Sequence, residues 1–343
     1  MTAPLYVVRA LGERDLKALG ALRALAGPGF SSLAVSDAIL EERVALSAAS
    51  FAASPSNPGK ERYFLALEHV ETGALVGLAG IKALVGEKPP FFNFRVLQIA
   101  QASAAADRRF DMEVLILVNE FTACSEVGSL FVHPDHRAGG VGRMVAQSRY
   151  MLMASDPQRF SQIVVSELRG VVDESGHSPF WEHLGRHFFR MTFNEADKLS
   201  ATTDNQFILD LMPKYPIYVD LLPPEARAVI GKTHPLGAGA LKLLEWEGFR
   251  YDRVVDIFEG GPLVSCARDT IRTFRETRRL ACRIGETRRG RTALVANAAT
   301  AHFRLACVQA DIDADVVTID EAGARALRVN TGDAVLAWSN DAH

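Results

Sequence analysis

Cysteine is scarce in this chain: among 343 residues only Cys124, Cys266, Cys282 and Cys307 carry a thiol. They are widely spaced and form no CxxC pair, so neither a disulfide framework nor a cysteine zinc site is expected. Reduced, mostly buried thiols are expected instead. A dominant charge is lacking too, since 38 Lys and Arg stand against 41 Asp and Glu for a net charge of −3. A general nucleic-acid binder would show a basic excess. Nowhere do eighteen apolar residues run uninterrupted, so no membrane span is expected. The opening MTAPLYVVRALGERD has no basic start followed by a sustained apolar stretch. It does not read as a secretory signal, and a cytoplasmic protein is expected.

What the chain does have is the composition of a globular protein, 48% hydrophobic and 23% charged, at a length that fits two compact domains or one large domain with an appendage. LYVVRAL reads as a strand, and Leu16, Leu19, Leu22 and Leu25 follow at helical spacing. YFLALEH and ALVGLAGIKALV are strand-like runs joined by Glu71, Thr72 and Gly73, the chemistry of a hairpin turn. EVLILVNEF and VGSLFVHP add further strands, so the pattern predicts a mostly antiparallel sheet with helices packed on it. QIVVSELRG is the next strand, and SPFWEHLGRHFFRM is a helix begun by Ser178 and Pro179. Pro213, Pro216, Pro223 and Pro224 break the following stretch into short pieces. GALKLLEWEGFRYDRVVDIFEGGP reads as a helix stopped at Gly248 and then a strand. SPFWEHLGRHFF and ALKLLEWEGFRY both read as a helix ending in Gly before aromatic residues, which hints at a duplicated unit. The arginine-rich stretch from Arg268 to Arg291 reads as a solvated connection. After it, TALVAN, NTGD and DAVLAW suggest a small β-rich end.

One stretch stands out chemically. SLFVHPDHRAGGVGRMVAQSRYML runs from an apolar strand through a glycine-rich turn into a helix expected over about Val141 to Ala154. Glycine presents no Cβ and tolerates positive φ, and the first amides of a helix lack intrahelical acceptors. Such a turn can wrap a pyrophosphate, with Arg137 adding a charge-assisted bond. On spacing alone it is also a plain tight connection. No Gly-Lys-Ser/Thr follows, so it is not a Walker loop, and the hairpin-rich sheet before it does not fit a dinucleotide fingerprint.

SLFVHPDHRAGGVG resembles the coenzyme A motif of Gcn5-related N-acetyltransferases, with Arg137, Gly139, Gly140 and Gly142 on the turn. That likeness implies Leu130, Phe131 and Val132 along the pantetheine arm. The likeness narrows further along the chain. TACSEVGSLFVHPDHR, SELRGVVDESGHSPFWEHLGRHFF, ADKLS, LMPKYPIY, ARAVIGKTHP and EGFRYDRVVDIFEGGP are similar, in order and wording, to bacterial arginine N-succinyltransferases. The resemblance covers the first strand to about residue 285 and, more loosely, the remainder. It implies an α/β (α+β) fold of tandem Gcn5-related N-acyltransferase-like halves with mixed, largely antiparallel sheets and a small β-rich C-terminal segment. The expected division is 1–170 with the CoA turn, 171–285 as the second half, and 286–343 as the segment. The implied activity is succinyl transfer from succinyl-CoA to the α-amino group of L-arginine by direct attack in a ternary complex, in arginine catabolism; ornithine is a second acceptor known in the family.

Acyl transfer from a thioester to an amine needs a neutral amine, a stabilised oxyanion and a proton for the thiolate, with no covalent enzyme nucleophile. A backbone amide near Leu130 can meet the oxyanion. Taken alone, His234 in GKTHP reads as a turn or interior histidine; the resemblance marks it as the proton donor. Glu126 and Glu167 sit at strand edges as candidates to bind the guanidinium or accept a proton. Cys124 reads as packing. His133 and His136 around Asp135, and His183 with His187 at i, i+4, resemble metal pairs in outline but lack the HExxH glutamate and a third ligand. No metal and no permanently bound cofactor are expected, only succinyl-CoA as cosubstrate. The expected partners are arginine and succinyl-CoA, without nucleic acid or membrane, in a homo-oligomer or a hetero-oligomer with a paralogous subunit. GFSSLAVS near the start, and Glu120 and Ala123 where aspartate and glycine are common, depart from the family pattern. The rival readings are an N-acyltransferase for ornithine or another basic amino acid, and a non-catalytic acyl-CoA-binding subunit.

Overall fold

The structure, a computed structural model, describes residues 5–26, 35–88, 90–203 and 206–340. Most of the divergent GFSSLAVS stretch lies outside them. The first strands are β1 (Tyr6–Ala10), β2 (Arg62–His69), β3 (Leu75–Val85), β4 (Asn93–Ser103), β5 (Arg108–Val118) and β6 (Cys124–Val132). Next come β7 (Ile163–Glu167), β8 (Ile217–Tyr218), β9 (Arg250–Asp256) and β10 (Pro262–Ala267). The last are β11 (Arg278–Ile284), β12 (Arg291–Asn297), β13 (Arg304–Ile312), β14 (Val316–Ile319) and β15 (Ala334–Trp338). The helices begin with α1 (Leu16–Ala26), α2 (Asp37–Ala52), α3 (Val141–Ser155), α4 (Arg186–Phe189) and α5 (Phe193–Thr202). They continue with α6 (Gln206–Leu211), α7 (Pro224–Val229), α8 (Ala238–Glu247), α9 (Arg272–Glu276) and α10 (Glu321–Leu327). The fold is a mixed α/β one in which the registered pairings are antiparallel except β6 with β7 and β11 with β14.

Two compact units interleave along the chain. Of the described residues, one takes those up to Ala83, Val127–Gln162 and those from Ala267 on; the other takes those of Leu84–Glu126 and Ile163–Cys266. The cuts at 170 and 285 read from the sequence are consecutive, whereas these units alternate.

In the first unit β1, β2 and β3 form an antiparallel meander. Leu19 and Leu22 of α1 and Leu40 and Val44 of α2 pack on Ala66, Leu78 and Phe131, with Leu16 partly buried beside them, whereas Leu25, the last leucine of the spacing seen in the sequence, is exposed. The C-terminal strands close into a ring, since β12 pairs with β15 and β13, β15 with β11, β11 with β14, and β14 with β13. Every second residue points inward, including Leu280, Cys282, Val295, Val308, Val317 and Val335, as a small barrel requires. The arginine-rich stretch is therefore not a solvated connection: Arg278 and Arg279 open β11, whose alternate residues Leu280 and Cys282 are core. Periodicity of two was hidden there because exposed Arg278 falls on the parity of Leu280 and Cys282, and Ala281 on the outward one. β13 also pairs with β1, and Val7 joins the barrel core.

In the second unit the strand order is β7-β10-β9-β4-β5-β8. Phe94, Val96, Leu115, Phe180, Trp181, Leu184, Phe189 and Val255 make its core. Ser178 Oγ accepts from the Trp181 amide at 3.2 Å, as the capping pair predicts. The helix that follows is not uniform, because Trp181–Gly185 is a π-helical turn and the chain stays helical to Phe189, with Arg190 left-handed at its end. Gly185 lies inside the helix, so the likeness to the Gly248 stop of α8, where φ is +105°, does not hold. The cause is steric. A Cβ on Gly185 would fall 2.3 Å from the Trp181 ring, so glycine here admits the indole against the backbone.

Candidate active site

Within the first unit, β6 leads through a short 3-10 turn (Pro134–His136) to Gly139 and Gly140, with φ of +66° and +80°. Gly140 is the N-cap of α3 and supplies no side-chain cap. A Cβ at Gly139, Gly140 or Gly142 would meet nothing within 4 Å, so packing does not dictate these glycines, while backbone conformation dictates the first two. The uncapped N-terminus of a 15-residue helix favours an anion by about 0.3–1 kcal/mol. Arg137 is exposed; its Nε donates to the Val132 carbonyl at 2.9 Å and its guanidinium carbon stands 5.9 Å from the centre of the Phe131 ring. Leu130 is half-buried, and the side chains of Phe131 and Val132 are buried, Phe131 in the core beside Leu78. Ser129, with φ of +52°, interrupts the regular strand just before them. Left-handed backbone at a non-glycine residue is a strained feature that clusters at functional sites.

The histidines around this turn make local contacts. His133 Nδ1 accepts from the Asp135 amide at 3.3 Å, and His136 Nδ1 lies 3.0 Å from the Tyr6 hydroxyl. In the second unit His183 Nε2 stands 3.2 Å from Glu225. Among the described residues no group of three or more His, Cys, Asp or Glu side chains is placed to hold a metal. Cys124 is buried among Val85, Val165 and the partly buried Phe91 and Phe121, and burial pushes its thiol up to about 11, consistent with packing rather than thiol chemistry.

The second unit gathers the remaining candidates. Glu126 is buried on β6 in register with Val165 of β7. The His234 amide donates to the Arg169 carbonyl at 2.7 Å, just beyond the end of β7, and the Leu236 amide donates to His234 Nδ1 at 3.2 Å. With Nδ1 accepting, the neutral ring carries its proton on Nε2. Burial, and then the Arg169 charge, hold the imidazole below its ordinary value, against a hydrogen bond with the Val172 backbone.

Sequence reasoning named Glu167 but missed Asp256, Glu259 and Asp197, the acids gathered near it. The turn between β9 and β10 is anchored by Phe258, which stacks on Trp181 with ring centres 5.6 Å apart. It presents Glu259, whose Oε2 accepts from the Gly170 amide at 2.7 Å and whose Oε1 lies 3.9 Å from Arg169 Nε. Asp256, at the end of β9, accepts from the amides of Phe258 and Glu259 and hydrogen-bonds the Glu167 side chain. Burial raises Asp256, and burial together with the Asp256 charge raises Glu259 to about 8. Asp197 of α5 is likewise raised by burial. A strand ending in an acid before Glu-Gly-Gly was the only local signal. That these carboxyls are buried together depends on contacts between distant segments.

The sequence matches the family profile described as arginine N-succinyltransferase beta subunit over residues 6–273, and that of its C-terminal domain over 278–339. The arginine N-succinyltransferase of Citrobacter koseri is 38% identical over 333 residues, 96% of each chain. That of Salmonella paratyphi B is 39% identical over 331 residues, again 96% of each. Among solved structures, the arginine/ornithine succinyltransferase subunit AI of Pseudomonas aeruginosa superposes with a TM-score of 0.88 at 34% identity, covering 98% of this chain and 99% of that one.

Proposed function

We infer the reaction from one premise: this chain belongs to the arginine N-succinyltransferase family. It is an acyltransferase with an acyl-CoA cosubstrate, and it transfers a succinyl group to arginine. The acyl donor in this reading is succinyl-CoA and the attacking atom is the α-amino nitrogen. A C–N bond forms as the C–S bond breaks; the amine loses a proton and the departing thiolate gains one.

The residues divide these tasks. The left-handed glycines 139 and 140, Gly142 and Arg137 take the pyrophosphate of the cosubstrate, where the α3 N-terminus offers amides and dipole. The backbone of Leu130, Phe131 and Val132 takes the pantetheine arm. The side chains of Phe131 and Val132 are buried, so the arm would be met by backbone there rather than by side chains. The irregular backbone at Ser129 supports an amide near Leu130 as the oxyanion donor. His234 passes a proton to the thiolate. Its lowered pKa makes the neutral ring the resting state and the protonated ring a stronger acid, so a proton that reaches it is readily given up. Glu126 is the candidate to draw the proton from the amine. The family profile's description as a beta subunit, and the structural relative's as subunit AI, support an oligomer of identical or paralogous subunits. No described helix is long and apolar enough to cross a membrane. We place the enzyme in the cytoplasm, where acyl-CoA thioesters are made and used.

The observation that carries this reading is that the family likeness runs unbroken through both the glycine turn and the His234 segment. The test is free-thiol release with succinyl-CoA and arginine, ornithine or lysine, with acetyl-CoA as control donor. Arginine-dependent release that is lost in His234→Ala supports the reaction and the proton donor together. Binding of succinyl-CoA without release for any acceptor would refute it.

A further inference from the structure

One buried side chain in the second unit has no role in the reading above. Asn93 opens β4 and is 0% exposed, yet neither its Oδ1 nor its Nδ2 has a hydrogen-bond partner. Native interiors rarely leave a buried amide unpaired unless a water, ion or ligand meets it. Its surroundings identify which. Asn93 stands in register opposite Asp256 of β9, and directly opposed residues project on the same face of a sheet. The next pair, Phe94 and Val255, belongs to the aromatic core on the other face. The Asn93 amide thus shares its space with Asp256, a carboxyl that is 6% exposed and hydrogen-bonded to Glu167.

Several carboxyls bear on that space. Asp256 hydrogen-bonds Glu167 and feels the charge of Asp197, Glu259 feels both Asp256 and Asp197, and Arg169 stands 3.9 Å from Glu259. Burial and mutual repulsion therefore favour protons on Asp256 and Glu259; a bound cation would relieve both. A guanidinium is planar, with five N–H donors and no acceptor. It can fork onto a carboxylate while donating to an amide oxygen, and the amide N–H₂ can then donate to the second carboxylate oxygen.

We propose that the cationic end of the acceptor, the guanidinium of arginine, is received by Asn93, Asp256 and Glu167. Glu259 and Arg169 form the wall behind them. The assignment rests on arginine being the acceptor and adds the residues that recognise it. It also makes Asn93 a specificity determinant, since the compact ammonium of ornithine cannot occupy both the amide oxygen and the carboxylate fork.

Two variants of the full chain test it. Asn93→Leu removes an unpaired amide from the interior, so its thermal midpoint should equal or exceed that of the unsubstituted protein. Its KM for arginine should nevertheless rise about 10-fold or more, with KM for succinyl-CoA within about twofold. Glu167→Gln changes an exposed side chain, and should raise KM for arginine and narrow the preference for arginine over citrulline, its neutral isostere. Calorimetric titration of arginine without donor separates this inference from the reaction. Arginine that binds the unsubstituted protein but neither variant, without turnover, keeps the site and removes the reaction. Equal KM for arginine in all three proteins keeps the reaction, overturns the site and leaves Asn93 with a buried water. No arginine binding to the unsubstituted protein overturns both.

Discussion

His234 is held at both ends of its residue: the main chain donates to Arg169 and the ring accepts from Leu236. A side chain so fixed can be removed with little effect on binding. His234→Ala should lower kcat by about 10²–10⁴-fold, the range for general acid catalysis, with KM for succinyl-CoA nearly unchanged in steady-state assays. Glu259 yields a prediction in pH. The folded protein keeps its proton up to about 8, whereas an ordinary glutamate loses it near 4.5. Folding therefore binds a proton between those values, and the stabilisation present below the lower one is lost as pH rises through the upper one. Thermal midpoints should fall across that window, and Glu259→Gln should flatten the decline. The departures from the family pattern also have a residue-scale account. Glu120 is occupied by an ion pair with Arg95 at 2.8 Å, and Ala123 has φ of +63°, a conformation glycine adopts freely. Ala123→Gly should stabilise the protein by about 1 kcal/mol in denaturant melts, the left-handed penalty less the entropy of the added glycine.

Elements place these residues, and two glycines decide how. The turn before α3 needs the left-handed backbone of Gly140. Gly140→Ala should cost about 1–2 kcal/mol and raise KM for succinyl-CoA more than KM for arginine. Gly185 acts by absence of bulk, since a Cβ there would press on Trp181. Trp181 in turn supports Phe258 and the turn carrying Glu259. Gly185→Ala should destabilise by about 1–3 kcal/mol, read as a lower thermal midpoint, and should weaken arginine more than succinyl-CoA. The glycine turn was legible in the sequence because its requirement is local. The π-helical turn was not, because Gly185 there answers to the ring of Trp181 rather than to a stop signal, and the two consecutive exposed arginines that open β11 masked its alternation.

At the scale of the molecule, the C-terminal barrel is more than an appendage to the first unit, because β13 pairs with β1 and Val7 sits in its core. A chain ending at residue 277 would leave β1 as an edge strand and strip Val7 of the barrel residues that bury it. Such a truncation should be largely insoluble, or should melt without the cooperative transition of the full chain by circular dichroism. By itself the sequence determined what near neighbours control: the leucine face of α1, the Ser178 cap, the glycine turn, and an order of motifs specific enough to name a family. Only the tertiary structure decided which polar groups lose water together. Asn93 and Asp256 become cross-strand neighbours through the pairing of β4 with β9, and Glu167 of β7 and Asp197 of α5 join them from two further segments. Burial, repulsion between carboxyls and an unmet amide are properties of that assembly, since each depends on what long-range pairing brings beside a residue.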